Sequence, residues 1–391
     1  MVSLNFLSFD VLKAIDDCFR GMNNLRRWTE DSAETRYNEI SKQALNFAIT
    51  YVLAKECEYN GEKIIWERFP KIAIFRGFQK MGLADVTHST YVNIVEGKMN
   101  CKLENFHQAV GEGKIRELIK NKELAENLIH ELNVVNDTRE FHLYKLGSKI
   151  ATLIELIECK DKFDTSVYAE KYSEICAEIS KSEFKEKELL AVGTSVFKVF
   201  QKISTLRNQN RWAVRSYRIN CSVLGHLFDT AVFAYLISLN KDHDKQKAAM
   251  MFFMGIWHDV AETWTKDIPS PTKDAFPGFR EASEEYELEC LDKNIYEKIP
   301  EHIAKAIKEV MMEEEASKPF KKLMKAADYL SADSECWRNL VAGSRDAYFR
   351  DHVLLGDKKK VEADPNTYLT GPFKKLLDYY VEKTELLILL G

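Results

Sequence analysis

Apolar residues recur along this chain three and four positions apart, the spacing that lays one stripe along a helix face. The pattern predicts helices over Val223–Leu236, Ile303–Met312 and Phe373–Leu390, and a similar period of about 3.6 residues runs through most other segments. Period-two alternation is scarce, and Lys63–Trp66 alone reads as a short extended piece. With eight prolines and sixteen glycines in 391 residues, breaks are few. The fold class expected is all-α. The charged stretch 181–188 (KSEFKEKE) is the expected boundary between two helical domains, over 1–180 and 189–391. Gly356–Pro372 reads as a loop between the last helices, and Glu313–Glu315 as a solvated face.

Composition narrows the functional classes. A net charge of −5 gives no general pull toward nucleic acid polymers or anionic membranes, so a phosphate-bearing ligand needs a local site. No charged-then-apolar leader is visible, and no apolar run reaches the roughly 18 residues of a membrane span. The Leu386–Leu390 run is expected to dock in the core. Eight scattered cysteines (18, 57, 101, 159, 176, 221, 290 and 336) include no CxxC pair, which suits reduced thiols and a cytoplasmic location.

The chain also aligns with itself at an offset of about 180 residues. Arg27-Trp28 falls on Arg211-Trp212, and the stretch from Ile40 falls on that from Val223. The stretch from Ile74 falls on that from Ile256, which sets Asp85 on Asp267, and Lys145–Leu153 falls on Lys322–Leu330. Four collinear blocks point to a tandem duplication.

Polar groups set among apolar helical stretches need partners, because an unpaired buried polar group costs free energy. In the second half His226, His258-Asp259 and Asp328 each stand in such a stretch. A His-Asp pair satisfied inside a helical core is one reading. The other is a metal, since two imidazoles and two carboxylates suit divalent manganese, iron, cobalt, nickel or zinc with open positions. Asp333 is a rival to Asp328, but five positions turn a helix by roughly 140°, so the two do not face one ion.

The order His226, then His258-Asp259, then Asp328 on successive helices resembles the HD-domain phosphohydrolase superfamily, and within it the bacterial 5′-deoxynucleotidases. The resemblance is carried by Arg211-Trp212, His226, HDVAETWTKDIPSPTK from His258, and KAADYL around Asp328. The family pattern HD-x-x-E-x-x-x-x-D-x-P-x-P-x-K is met at every fixed position through Lys273. It covers the second half directly and the first only as a degraded copy. Gly225 and Leu227 depart from it, standing where the family usually has Glu and Ser.

The resemblance implies two tandem HD-domain-like helical bundles, with His226, His258, Asp259 and Asp328 as metal ligands. Glu262, one helical turn past His258, is then placed to orient or deprotonate water. Asp267 is implied near the leaving oxygen, although its counterpart Asp85 survives without metal ligands and so equally suggests a turn cap. Arg211 is implied to grip phosphate, Trp212 to pack on a sugar and exclude a 2′-hydroxyl, and Lys273, with Ser270 or Thr272, to reach phosphate. The activity implied is hydrolysis of 5′-deoxynucleoside monophosphates. A triphosphohydrolase or other HD phosphoesterase is the enzymatic alternative, and a nucleotide-binding regulator the non-enzymatic one.

At the ligand positions the first copy carries Gln43, Arg76, Gly77 and Ala151, with Lys80 opposite Glu262. Arginine and lysine do not ligate a cation near neutral pH, so this half is expected to hold no catalytic metal. It is either a scaffold that makes the chain an intramolecular pseudo-dimer, or an anion site built on Arg27, Arg76 and Lys80.

Overall fold

The helical period is realised as fifteen principal helices in the described residues of a computed structural model. The structure describes residues 6–28, 37–84, 86, 88–132, 137–241, 244–268, 270–311, 320–355 and 368–389. The helices are α1 (Phe9–Asn24), α2 (Glu39–Tyr59), α3 (Arg68–Leu83), α4 (Leu103–Leu118), α5 (Lys122–Leu132), α6 (Arg139–Glu158), α7 (Thr165–Ser180), α8 (Ser195–Ser204), α9 (Val223–Asn240), α10 (Lys245–Trp257), α11 (Phe279–Asn294), α12 (Glu301–Val310), α13 (Lys321–Val341), α14 (Ala347–Leu355) and α15 (Pro372–Leu389). Among the described residues the extended backbone amounts to two isolated antiparallel bridges, Arg26 with Asn38 and Asn210 with Ser222. Lys63–Trp66 is irregular rather than a strand. The sequence readings of Glu313–Glu315, Asp85 and most of Gly356–Pro372 fall outside the described residues.

Helix starts are fixed locally. Asn38, Thr138, Thr194, Ser222 and Asp244 each accept a backbone N–H from the first turn of the helix they precede. Such a cap contributes about 1 kcal/mol and pins the register of whatever side chain follows.

The core runs through both halves without interruption. Helix α9 packs against α10, α2 and α13, and α2 in turn packs on α6. Phe47 of α2 meets Phe252 of α10 edge-on at 5.1 Å, and Phe19 of α1 meets Phe228 and Phe233 of α9. Polar contacts cross the same boundary. Arg338 of α13 pairs with Asp16 of α1 at 2.9 Å and with Asp229 of α9 at 2.6 Å, all three buried. A buried arginine needs such partners, because removing one leaves an uncompensated charge.

Two features bear on the sequence reading. Helix α9 has the length and hydropathy of a membrane span, yet 94% of it is buried inside the protein. Its apolar character is that of a central core helix packed on all sides. Leu386–Leu389 do not dock as expected: they are exposed at the end of α15, beyond the buried face that ends at Thr384.

Candidate active site

The site forms where α9, the turn after α10 and α13 converge. Ser222 caps α9 by accepting from Gly225 N at 3.0 Å, so His226 sits on its first turn, facing α13. Gly225 has a steric reason. A Cβ there lies 3.1 Å from Ile40 Cγ2 and 3.2 Å from Ser222 Oγ, so α2 of the first half occupies the space a larger side chain needs. The departure from the family pattern at this position therefore accompanies packing of the two halves, with Ser41 and Ser222 hydroxyls 2.8 Å apart beside it.

His258 and Asp259 were expected within a helix, but α10 ends at Trp257. The following turn is held by Val260 N to Trp257 O at 3.1 Å and Glu262 N to Asp259 O at 3.1 Å, before a short helix over Glu262–Thr265. This tightening keeps the backbone near-helical while turning the His-Asp pair toward α9. Gly255 makes the approach possible, because a Cβ there lies 2.3 Å from Ala231 Cα. His258 Nδ1 donates to Gly255 O at 2.8 Å, which leaves Nε2 as the ring's lone-pair nitrogen.

One ligand atom from each of His226, His258 and Asp259 lies within 4.8 Å of the others. Asp328 joins them through His226, whose Nε2 is 3.1 Å from Asp328 Oδ1. The other Asp328 oxygen accepts from Lys325 at 2.7 Å. Asp333 is on a different face, 3.4 Å from His352. His258 Nε2 and Glu262 Oε2 are among the buried atoms without a hydrogen-bond partner, and Asp259 Oδ2 lies 3.2 Å from the former. A divalent cation suits this set, since it supplies the missing partner for an imidazole nitrogen and offsets the crowding of carboxylates.

The charges respond to that crowding. Burial opposes a charged His226, as does Arg211, but Glu335 and Asp328 outweigh them and raise it to about 9. Asp328 is held well below the carboxylate range despite burial, by its hydrogen bond to His226 and by Lys325. Asp259 is likewise lowered against burial by His258. Glu262 moves the other way, pushed well up by burial and by the charges of Asp259 and Asp267. A carboxyl that holds a proton more tightly beside lowered acids is poised for proton transfer.

Arg211 is drawn in by the acids around it. Its Nε is 3.2 Å from Glu335 Oε2, and its terminal nitrogens are 3.9 Å from Asp259 and 4.0 Å from Asp328. Trp212 donates its indole N–H to the same Glu335 Oε2 at 3.0 Å. Its ring is buried and packs on Tyr348, Phe349 and His352. Asp267 is exposed, following Lys266 at a φ of 69°. Lys273 pairs with Glu287 of α11 at 3.2 Å, and its charge is felt by Asp267. Thr272 is exposed, and the Ser270 side chain lies outside the described residues.

Sequence reasoning missed Glu335. It touches Arg211, Trp212 and, through Oε1 at 3.1 Å, His226 Nδ1. Ser331 Oγ lies 3.0 Å from the same nitrogen. A carboxylate accepting from Nδ1–H orients the ring so that Nε2, now turned to Asp328, is the nitrogen that would ligate a cation in place of its proton. Its place seven residues after Asp328, two helical turns along one face, was the available signal.

The first half repeats part of this arrangement. Arg27 Nε and the Trp28 indole N–H both donate to Glu155 Oε2, at 2.9 and 3.2 Å. The Arg26–Asn38 bridge precedes α2 just as the Asn210–Ser222 bridge precedes α9. Lys42 stands four residues past its cap, as His226 does, and its ammonium donates to Ser148 where His226 meets Asp328. The contacts thus set Lys42 and Ser148, rather than Gln43 and Ala151, opposite His226 and Asp328.

Residues 198–361 match the family model described as 5′-deoxynucleotidase YfbR-like. The 5′-deoxynucleotidase of Erwinia tasmaniensis is 25% identical over 175 residues, 42% of this chain and 86% of its own length. That of Photobacterium profundum is 24% identical over 190 residues, 48% of this chain and 94% of its own. The 5′-deoxynucleotidase YfbR of Shigella boydii is 25% identical over 187 residues, 47% and 87% respectively. Through residues 198–361, which hold His226, His258, Asp259 and Asp328, this chain is related to the HD-domain 5′-deoxynucleotidases of the YfbR-like family.

Proposed function

We propose that this protein is a metal-dependent phosphohydrolase that converts 5′-deoxynucleoside monophosphates to deoxynucleoside and phosphate. The observation that carries this reading is the cluster of His226, His258 and Asp259 beside the carboxyl of Glu262, whose Oε2 is buried without a hydrogen-bond partner. His226, His258, Asp259 and Asp328 would hold a divalent transition ion, which when bound supplies positive charge for phosphoryl oxygens and acidifies water.

The chain's own groups do the rest. Arg211 adds a second positive charge for the phosphoryl oxygens, and its contact with Glu335 holds the guanidinium in place. Glu262, in its carboxylate form, takes the proton of the attacking water as the new P–O bond forms. The P–O5′ bond breaks on the opposite side, and the departing O5′ takes up a proton from an acid, for which Asp267 is the exposed candidate. Trp212 acts by shaping the wall against a 2′-hydroxyl. The recurring Arg-Trp-Glu contacts and bridges support the reading that 1–180 and 189–391 are duplicated copies, the first a scaffold packed where a second subunit would sit.

The test is phosphate release from each deoxynucleoside and nucleoside monophosphate with added manganese, cobalt, nickel, iron or zinc. Metal-dependent orthophosphate from deoxynucleotides is expected. Tripolyphosphate from deoxynucleoside triphosphates, with monophosphates untouched, would replace this proposal with the triphosphohydrolase reading.

A further inference from the structure

We infer that Asp16, on α1 in the first half, is a positioning residue for the candidate metal site in the second half, acting by holding the Arg338 guanidinium away from Glu335. Contacts between α9 and α13 form two neighbouring rungs. In the first, His226 meets Glu335 at 3.1 Å. In the second, three residues further along each helix, Asp229 Oδ2 accepts from Arg338 Nη1 at 2.6 Å. Asp16 Oδ1 takes the rest of the fork, accepting from Arg338 Nε at 3.1 Å and from Nη2 at 2.9 Å. The Ser334 hydroxyl donates to the same oxygen. Asp16, Asp229 and Arg338 are all buried, so two acids from opposite halves fix the plane of one guanidinium.

The need for restraint follows from what lies beside the fork. Arg338, Asp229, Glu335 and His226 line one water-sized cavity, with Asn23 and Ile40 of the first half on its wall. Gly225 lines it too and puts no side chain into it. Glu335, one turn before Arg338 on α13, already feels that charge. A guanidinium released from Asp16 has room to turn toward Glu335, and the attraction between them is stronger in the interior than at a wet surface. Both Glu335 oxygens are in use, Oε1 by His226 Nδ1 and Oε2 by Trp212 and Arg211. One donor more competes with His226, whose ring then loses the contact that orients it.

The first half shows the other arrangement. There Glu155 Oε2 holds Arg27 and the Trp28 indole, as Glu335 Oε2 holds Arg211 and Trp212. Arg207, reaching across from the second half, donates directly to Glu155 Oε1 at 3.0 Å. The oxygen that serves His226 in one half is thus taken by an arginine in the other, where Lys42 stands in the place of His226. Each half reaches into the other, and Asp16 keeps the second half in the arrangement that leaves Glu335 to His226. The first half then does more than fill a subunit's place. The consequence for a metal rests on the proposed function; the consequence for the His226 ring does not.

The test compares the full chain with Asp16→Asn, Asp16→Glu, Asp16→Asn/Arg338→Gln and, as a control, Met22→Ala, which trims a buried α1 side chain that packs on Gly77 of α3. In EDTA, proton NMR follows the His226 Nδ1–H resonance, assigned by its loss in His226→Gln. With cobalt(II), chelator competition gives the affinity and the visible spectrum reports the ligand geometry. Asp16→Asn is expected to lose or shift the resonance and to weaken cobalt binding by about tenfold or more, as when a group that orients a metal-binding histidine is removed. Asp16→Glu restores both in part, and the double variant restores both, because no guanidinium is left to compete. Met22→Ala lowers the melting temperature and leaves both readouts unchanged. An unchanged resonance in Asp16→Asn, an equal loss in Met22→Ala, or a double variant no better than the single overturns the inference. If Asp16→Asn does not fold, the double variant decides: a parent-like resonance supports restraint of Arg338, and a lost one overturns it. A parent chain that binds no cobalt counts against the proposed function alone, since the resonance in EDTA still reads this contact.

Discussion

His226 and Glu335 face each other at 3.1 Å, both buried, with Nδ1 of the ring turned to Oε1 of the carboxylate. The contact leaves Nε2 toward Asp328 and the His258-Asp259 turn. In the proposed metal site it makes Glu335 the group that orients His226, the first of the proposed ligands.

Replacing Glu335 with Gln should therefore weaken metal affinity by about 10–100-fold without emptying the ligand set. Because Glu335 also holds Arg211 and Trp212, KM for a deoxynucleotide should rise as well. Chelator competition and steady-state kinetics on one preparation measure both effects. Unchanged metal affinity removes the orienting role.

Glu262→Gln separates binding from chemistry. Metal should still bind, since Glu262 is outside the ligand cluster, while kcat falls by about 10²–10⁴. Calorimetric titration with manganese beside phosphate-release rates checks this. Loss of metal binding would instead assign Glu262 a ligand role.

Gly255→Ala tests how the site is assembled. The added Cβ meets Ala231 backbone at 2.3 Å, and backbone cannot swing aside. Helices α9 and α10 must part, at a cost of about 1–3 kcal/mol. They carry His226 and lead into His258, so metal affinity should fall together with melting temperature. A stable variant with native metal affinity contradicts this account.

Lys42 gives the pH dependence. Burial, reinforced by Arg27, holds its ammonium well below the usual lysine value despite Glu39. Between the folded and unfolded values the unfolded chain binds more protons, so this residue's contribution to stability rises with pH. Lys42→Met should thus raise melting temperature most near neutral pH, the gain shrinking toward about pH 10. Melting curves in phosphate-free buffer test the sign, and a gain that grows with pH refutes it.

Much of the site was legible before any coordinates. The proposed ligands, Arg211 and Glu262 all lie in runs whose spacing follows the family pattern, and local helix periodicity carries that spacing. Glu335 escaped because it belongs to no short motif. Its role depends on three partners from distant parts of the chain. The pairing of Lys273 with Glu287 was not legible, because α11 brings that acid from outside the motif. The register of the first half was misjudged for a similar reason: Lys42 and Ser148 are matched by counting from the helix cap and by their contact, not by apolar likeness.

The sequence by itself determined the helices, their caps and the residue types able to hold a cation, since these depend on neighbours within a turn or two. Tertiary structure alone decided that the two halves share one core, that Gly225 yields its space to Ile40, and that one framework gathers carboxylates in one half and ammonium and guanidinium groups in the other. Those outcomes rest on contacts between residues far apart in the chain, whose energies depend on distance and burial that no local pattern encodes.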